Sequence, residues 1–340
     1  MKLVLMGTGP FAVPSFAAIA EDDQFEIAMV VTKPTQNNDG KKRSAVAVNP
    51  VLDWATSKGL TVFQPRSAND EATVRELQGL NADLLVVCDY GQILSRDALA
   101  VTALGGINLH GSLLPRHRGA APVQWAVLRG DAKTGISVIY LTPKLDGGPI
   151  IQCESVDIGA HEDAESLEKR LSELGAPHTL NALRRLAACQ TIDEAAALGP
   201  AQENSQVTKA PRLAKAFGRL DPRYSATLID RQIRGLQPWP GVFGNLTIGE
   251  TLPQRVIVKQ AEVADNHFLP ESNVGEIVVE DNRLFLQCNE NSCLELLMLQ
   301  ISGKRPMTAD EFIRGYASRG CLQLELPTDD NPLLIELIQK

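Results

Sequence analysis

The feature that most limits the fold is an alternation of chemistry along the first half of the chain. KLVLMG (2–7), EIAMVVT (26–32), DLLVVC (83–88) and GINLH (106–110) are short apolar runs rich in Val, Ile and Leu, as suits strands buried on both faces. Between them, NPVLDWATSKG (49–59) and NDEATVRELQGL (69–80) carry helical spacing, with Pro50 near a helix start and Gly59 at its end, the asymmetry that helix termini favour. Strands alternating with helices predict a parallel sheet covered on both faces. ISVIYL (136–141) and IIQCESVDI (150–158) read as further strands joined by the loop TPKLDGGP. DAESLEKRLSELG and PHTLNALRRLAACQ read as helices that pack on the sheet, Leu167, Leu171 and Leu174 sharing one face and Leu180, Leu183 and Leu186 another.

From 191 to 208 the apolar periodicity is lost, so an interdomain linker is expected there. An amphipathic helix around SATLIDRQIRGL follows, then the rigid turn QPWPG and the short strands VFGNLTI, RVIVKQAEV, GEIVVED, RLFLQC and CLELLMLQI. Residues 209–320 are therefore expected to form a small all-β barrel. Residues 321–340, with PTDDNP, are expected to be a loosely held tail. A chain of 340 residues, 44% hydrophobic and 22% charged, has the make-up of a soluble protein of two domains. Its cysteines, Cys88, Cys153, Cys189, Cys288, Cys293 and Cys321, form no CxxC pair and no zinc spacing. No metal, a reduced cytoplasmic setting, no export signal and no membrane span are the expectations. The net charge of -8 means that any contact with a polyanion must come from a local patch.

GTGPFA, Gly7 to Ala12, fits the GxGxxG/A dinucleotide fingerprint at a strand-to-helix turn. Where a ribose-binding acid would follow the next strand, VVTKP places Lys33. NAD is disfavoured, and a tight structural turn is the preferred reading. Asn108 and His110 are two apart at the end of a strand and project to the same side. Parallel strands deliver ligands to that edge. Asp146 lies in LDGG after another strand, where glycines let the backbone approach a ligand. An amide, an imidazole and a carboxylate together could stabilise an oxyanion and move a proton. Singly, Asn108 could cap a turn, His110 could be an interior histidine and Asp146 could close its own turn.

GGINLHGSLLPRHRGAAPVQWAVLRGDAKTGISVIYLTPKLDGG closely resembles the signature of the 10-formyltetrahydrofolate-dependent formyltransferases, and its SLLPxxRGAAPxQ portion resembles the branch acting on methionyl-tRNA. GTGPFAVPSF, GKK at 40–42, VFQP, DLLVVCDYGQIL, QPWPG and SGKRPM extend the likeness over most of residues 1–316. The resemblance implies an α/β fold, a Rossmann-like parallel-sheet formyltransferase domain (1–190) followed by an OB-like barrel that binds tRNA. It implies a monomer that uses 10-formyltetrahydrofolate as co-substrate, with no metal and no nicotinamide, and formylates the α-amino group of initiator methionyl-tRNA. Asn108, His110 and Asp146 would be catalytic. Ser112, Leu113, Leu114 and Pro115, with Tyr90 in the CDYGQIL loop, would wall the folate, and Phe11 would face the methionyl pocket. Lys41, Lys42 and Arg43, with Lys33 nearby, would reach the acceptor stem. Arg118 reads as a brace of its loop, and His117 as a loop or surface residue without a catalytic role.

The sequence departs from the family's usual VVAYGLILP at Asp89, Gln92 and Ser95, and from GRGKK at Asp39. From Lys209 to Arg234 seven Lys or Arg stand against Asp221 and Asp230, a local net of +5 that could hold phosphates. Length argues against a single-domain glycinamide ribonucleotide transformylase. It also argues against sugar-formylating and dehydrogenase relatives that carry large further domains. A non-enzymatic tRNA-binding module would have no use for Asn108, His110 and Asp146, all of which are present. An NADP oxidoreductase is the remaining rival, and binding of NADPH would reveal it as a rise in melting temperature.

Overall fold

The computed structural model describes residues 1–34, 48–264, 269, 272–289 and 291–338. The chain divides into two compact units, Met1–Pro122 with Lys133–Asp157 and Leu167–Pro211, and Val123–Ala132 with Ile158–Ser166 and Arg212–Lys340.

In the first unit the strands are β1 (Lys2–Gly7), β2 (Glu26–Val31), β3 (Val62–Phe63), β4 (Leu84–Cys88), β5 (Gly106–His110), β6 (Arg118–Gly119), β7 (Lys133–Tyr140), β8 (Ile150–Asp157) and β9 (Lys209–Ala210). The main sheet runs β3-β2-β1-β4-β5-β7-β8. The pairs from β3 to β5 are parallel, and β7 and β8 add as antiparallel neighbours. Leu3, Val4, Leu5, Leu84, Leu85 and Ile107 are fully enclosed, as their apolar runs require. The parallel register aligns Gly7 with Cys88 and Cys88 with Leu109, so these strands end together along one edge. β6 and β9 form a separate parallel pair.

Helix termini follow the local chemistry. Pro50–Ser57 starts with a proline after Asn49, whose side chain accepts from Leu52 N at 3.0 Å. The same side chain donates to Thr32 Oγ1 and to Lys33 O at 3.0 and 3.1 Å, tying the end of β2 to this helix. The stretches expected as separate helices form one helix, Ala164–Leu186, with Pro177 inside it. Near the proline, Thr179 Oγ1 donates to Gly175 O at 2.8 Å, so that carbonyl has a side-chain donor. Gly175 leaves room for Leu109: a Cβ there would come within 2.5 Å of Leu109 Cδ2.

In the second unit, β10 (Val242–Ile248), β11 (Gln254–Val263), β12 (Glu276–Glu280), β13 (Arg283–Gln287), β14 (Cys293–Ile301), β15 (Met307–Thr308) and β16 (Leu322–Leu324) are antiparallel. Their order is β11-β10-β16-β12-β13-β14-β15, and β11 also pairs with β14, which closes a barrel. Closure leaves no long open edge. Val242, Leu246, Val258, Leu284, Leu286, Leu296 and Leu299 fill the core.

The structure differs from expectation at two stretches. Residues 321–338 are not a loose tail: β16 sits between β10 and β12, and helix Pro332–Ile338 buries Leu333 and Leu334. Buried Asn331 anchors that helix, donating to Phe217 O and Arg219 O at 3.1 and 2.6 Å. The stretch 191–208 carries a helix, Ile192–Ala196, capped by Thr191, and lies within the first unit. A three-residue strand and a five-residue helix are too short to show periodicity in sequence.

Leu299 pairs with Val258 across the closing seam and is buried. Leu299→Ala should lower the unfolding free energy by about 2–5 kcal/mol, read from urea titration; a loss under about 1 kcal/mol would contradict a packed, closed seam.

Candidate active site

Asn108 and His110 stand on β5 with their side chains on one face, opposite Ile139 and Ser137 of β7. His110 is buried, and its Nε2 lies 2.9 Å from the carbonyl of His117. A carbonyl only accepts, so Nε2 carries the proton of that bond. Nδ1 then faces the Asp146 carboxylate, 3.9 Å from Oδ1. That is beyond a hydrogen bond, so Nδ1 is not tied to the carboxylate. The half-buried Asn108 amide makes no hydrogen bond among the described residues and is available to a ligand.

Asp146 adopts a left-handed φ of 47°. Its Oδ2 accepts from Gly119 N at 2.9 Å, and its carbonyl accepts from Gln202 Nε2 at 2.8 Å. The same Gln202 nitrogen donates to Gly148 O at 2.7 Å, while Gln202 Oε1 accepts from Arg118 Nε and Nη2 at 3.0 and 2.5 Å. Arg118 thus braces the Asp146 loop through Gln202, rather than only its own loop. Gly119 lies against β9, where a Cβ would meet Ala210 O at 2.3 Å. Sequence reasoning missed Gln202 because a polar residue in a polar stretch carries no local signal.

SLLP is held from beneath. Ser137 Oγ donates to Ser112 O and accepts from Leu114 N, at 2.8 and 3.1 Å, and Ser112 Oγ donates to Arg116 O at 2.7 Å. Ser112 and Leu114 are buried, whereas Leu113 and Pro115 are half-buried. The segment therefore offers a ligand Leu113 and Pro115, with the Ser112 hydroxyl committed to the turn.

Other expectations need correction. His117 is in a loop but is not a surface residue: it is 2% exposed, with φ 58°, and its backbone N–H donates to Thr208 Oγ1 at 2.8 Å. Its carbonyl positions His110. Tyr90 is buried in the apolar core with Leu94 and Ala98, and burial pushes its hydroxyl up to about 12. Its hydroxyl has no hydrogen-bond partner among the described residues. Phe11 is buried in the turn after β1. Lys41, Lys42 and Arg43 lie outside the described residues.

Gln92 and Ser95 stitch the 89–95 loop to residues 66–69. Gln92 Oε1 accepts from Ala68 N and its Nε2 donates to Arg66 O, while Ser95 N donates to Asn69 Oδ1 and Asn69 Nδ2 to Ile93 O. The basic stretch 209–234 is partly neutralised. Arg223 pairs with Asp221 and Asp330, Arg219 with Asp329, and Arg234 with Asp230. Among the described residues no His, Cys, Asp and Glu group could hold a metal ion, and no helix is long and apolar enough to cross a membrane.

Gln202→Ala should cost about 1–3 kcal/mol of stability by leaving its partners unsatisfied, and Gln202→Glu a similar amount because a carboxylate does not donate. Urea unfolding tests this; a change below about 0.5 kcal/mol for both would show that the bridge carries no weight.

Residues 1–183 match the family model described as formyl transferase, and residues 212–317 match that of the formyl transferase C-terminal domain. The methionyl-tRNA formyltransferase of Rhodopirellula baltica is 43% identical over 330 residues, covering 96% of this chain and 97% of that protein. That of Lachnospira eligens is 37% identical, covering 93% and 96%. In fold, the chain resembles WlaRD, a sugar 3N-formyl transferase, at TM-score 0.61 and 15% identity, covering 90% of this chain and 99% of that one. An N-formyltransferase from Helicobacter canadensis matches at 0.61 and 16%, covering 87% and 98%. Sugar formyltransferases of similar length thus exist, so chain length does not separate them from this protein. With both units matched, and relatives aligned along nearly its whole length, the chain belongs to the formyl transferase family.

Proposed function

We propose that the protein transfers the formyl group of 10-formyltetrahydrofolate to the α-amino group of initiator methionyl-tRNA, giving formyl-methionyl-tRNA for translation initiation in the cytoplasm. The observation that carries this reading is the 43% identity to a methionyl-tRNA formyltransferase across 96% of the chain, through both units. The edge of the first unit supplies matching chemistry.

An aminoacyl α-amine has a pKa of about 7.7–8.0, so a useful fraction is free base near neutrality. As the amine nitrogen bonds to the formyl carbon, negative charge grows on the formyl oxygen. The Asn108 amide and the His110 ring are the groups placed to stabilise that charge, preorganised because His117 and β7 hold the ring and the strand. Asp146, half-buried and fixed by Gly119 and Gln202, accepts the proton that the amine loses. Returning it to the departing folate nitrogen as the old carbon–nitrogen bond breaks balances the step. The half-buried faces of Leu113 and Pro115 and the exposed Ile93 supply apolar surface for the folate. Lys41, Lys42 and Arg43 are assigned to the acceptor stem on their GKK motif. Exposed Lys209, Arg212 and Lys215 have no carboxylate partner among the described residues and add further sites for phosphate.

Purified protein given 10-formyltetrahydrofolate and charged initiator tRNA should accumulate formyl-methionyl-tRNA. Asn108→Ala and His110→Ala should each lower kcat/KM on the order of 100 to 1000-fold. Turnover of glycinamide ribonucleotide or an amino sugar, with none of methionyl-tRNA, would overturn the assignment.

A further inference from the structure

The turn that ends β1 carries a charge arrangement that the formyl-transfer steps leave unused. Gly7 pairs with Cys88 and Cys88 with Leu109, so Asp89 follows β4 alongside His110 on the neighbouring strand, at an interstrand spacing of about 4.8 Å. Thr8 N donates to Asp89 O at 3.1 Å and fixes this backbone. Asp89 has φ 48°, and its carboxylate lies across Gly9: a Cβ at residue 9 would stand 1.7 Å from Oδ2. Lys33 lies across the other turn, with its Nζ 2.5 Å from where a Cβ of Gly91 would be. Asn49 and Gln64 hold the Lys33 carbonyl at 3.1 and 3.0 Å. Two glycines thus make room for two opposite charges at the edge that holds Asn108 and His110.

A glycine turn between strand and helix ordinarily seats an anion on its backbone N–H groups. A carboxylate laid across it reverses that preference. Asp89 is accessible to solvent, and its carboxylate accepts no hydrogen bond among the described residues. The protein crowded around it, and then Glu168 of helix Ala164–Leu186, push its carboxyl up to about 7, against the opposing pull of Lys33. The adjacent Cys88 thiol is pushed well above its usual range and stays neutral. With Asp89 and Glu168 ionised against Lys33, the local field favours a cation.

We propose that Asp89 is a specificity-determining residue that receives the α-ammonium group of the amine acceptor beside Asn108 and His110, with Gly9 and Lys33 holding the carboxylate in place. The inference rests on formyl transfer to an aminoacyl amine. An acceptor arriving as ammonium meets the carboxylate first, and its free base then reaches the donors on β5. Asp89 is ionised above about pH 7 and the ammonium persists below about 7.7–8.0, so the contact is strongest between those values and weakens on either side.

Equilibrium binding without formyl donor tests this, comparing methionyl-tRNA with the same tRNA acylated by the 2-hydroxy analogue of methionine. Wild type should bind the amine-bearing tRNA about fivefold more tightly near pH 7.4, the scale of a partly exposed ion pair. The preference should fall as pH drops below about 7. Asp89→Asn should abolish both the preference and its acidic limb, leaving affinity for the hydroxy analogue intact as the control for folding. Gly9→Ala, which keeps the charge but displaces the carboxylate, should also abolish the preference. An unchanged preference in both variants, or none in wild type, overturns the proposal. A wild type that binds but never formylates methionyl-tRNA when the donor is added overturns the functional reading instead.

Discussion

The hydrogen bond from Gly119 N–H to Asp146 Oδ2 is the contact on which the arrangement of the site depends. It joins the loop after β5 to the hairpin loop between β7 and β8, segments with no sequence neighbours in common. It also fixes the direction in which the second carboxylate oxygen faces His110. The bond requires the Gly119 backbone to lie flat against β9, where only glycine fits. Gln202 adds the third attachment by holding the Asp146 and Gly148 carbonyls while accepting Arg118. The His110 and Asp146 side chains are therefore each set by groups from other segments, the kind of support that a precise site needs.

A second constraint is that donors at the strand edge must be left unspent. Several polar groups nearby are committed: Ser112 to Arg116, Ser137 to SLLP, Gln92 to residues 66 and 68. The Asn108 amide, half-buried, makes no hydrogen bond among the described residues, and neither does the buried Tyr90 hydroxyl. A polar group withdrawn from water and left without a partner costs stability, and a ligand oxygen supplies the missing acceptor.

The sheet and the placing of Asn108 beside His110 were legible because they rest on periodicity. Apolar runs of strand length marked β1, β2, β4 and β5, and the two-residue spacing of Asn108 and His110 set both on one face. The contacts that fix the site were not legible, because they join residues with no shared pattern. Gln202 meets Asp146 across 56 positions of chain. His117 is polar and flanked by arginines, which suggests surface, yet its carbonyl is the partner that orients His110. Tyr90 follows the end of β4 in a loop, where a polar aromatic suggests exposure, yet its ring is buried in the core. Local sequence reports which face a residue occupies; it does not report which distant backbone group comes to meet it.

Charge shows the same limit in another form. Seven basic residues between 209 and 234 read as a strong anion patch when counted along the chain. In the folded second unit, Arg219 and Arg223 meet Asp329 and Asp330 from near the C-terminal end, and Arg234 meets Asp230. Those arginines stiffen the barrel's surroundings more than they attract a polyanion. Opposed charges at ion-pair distance largely cancel beyond a Debye length of about 8–10 Å. What remains for a polynucleotide is the set of cations that folding leaves unpaired, with Lys209, Arg212 and Lys215 exposed among them. In a chain of net charge -8, such recognition has to be local: the cations must lie where phosphates come near, because the field of the whole molecule opposes their approach.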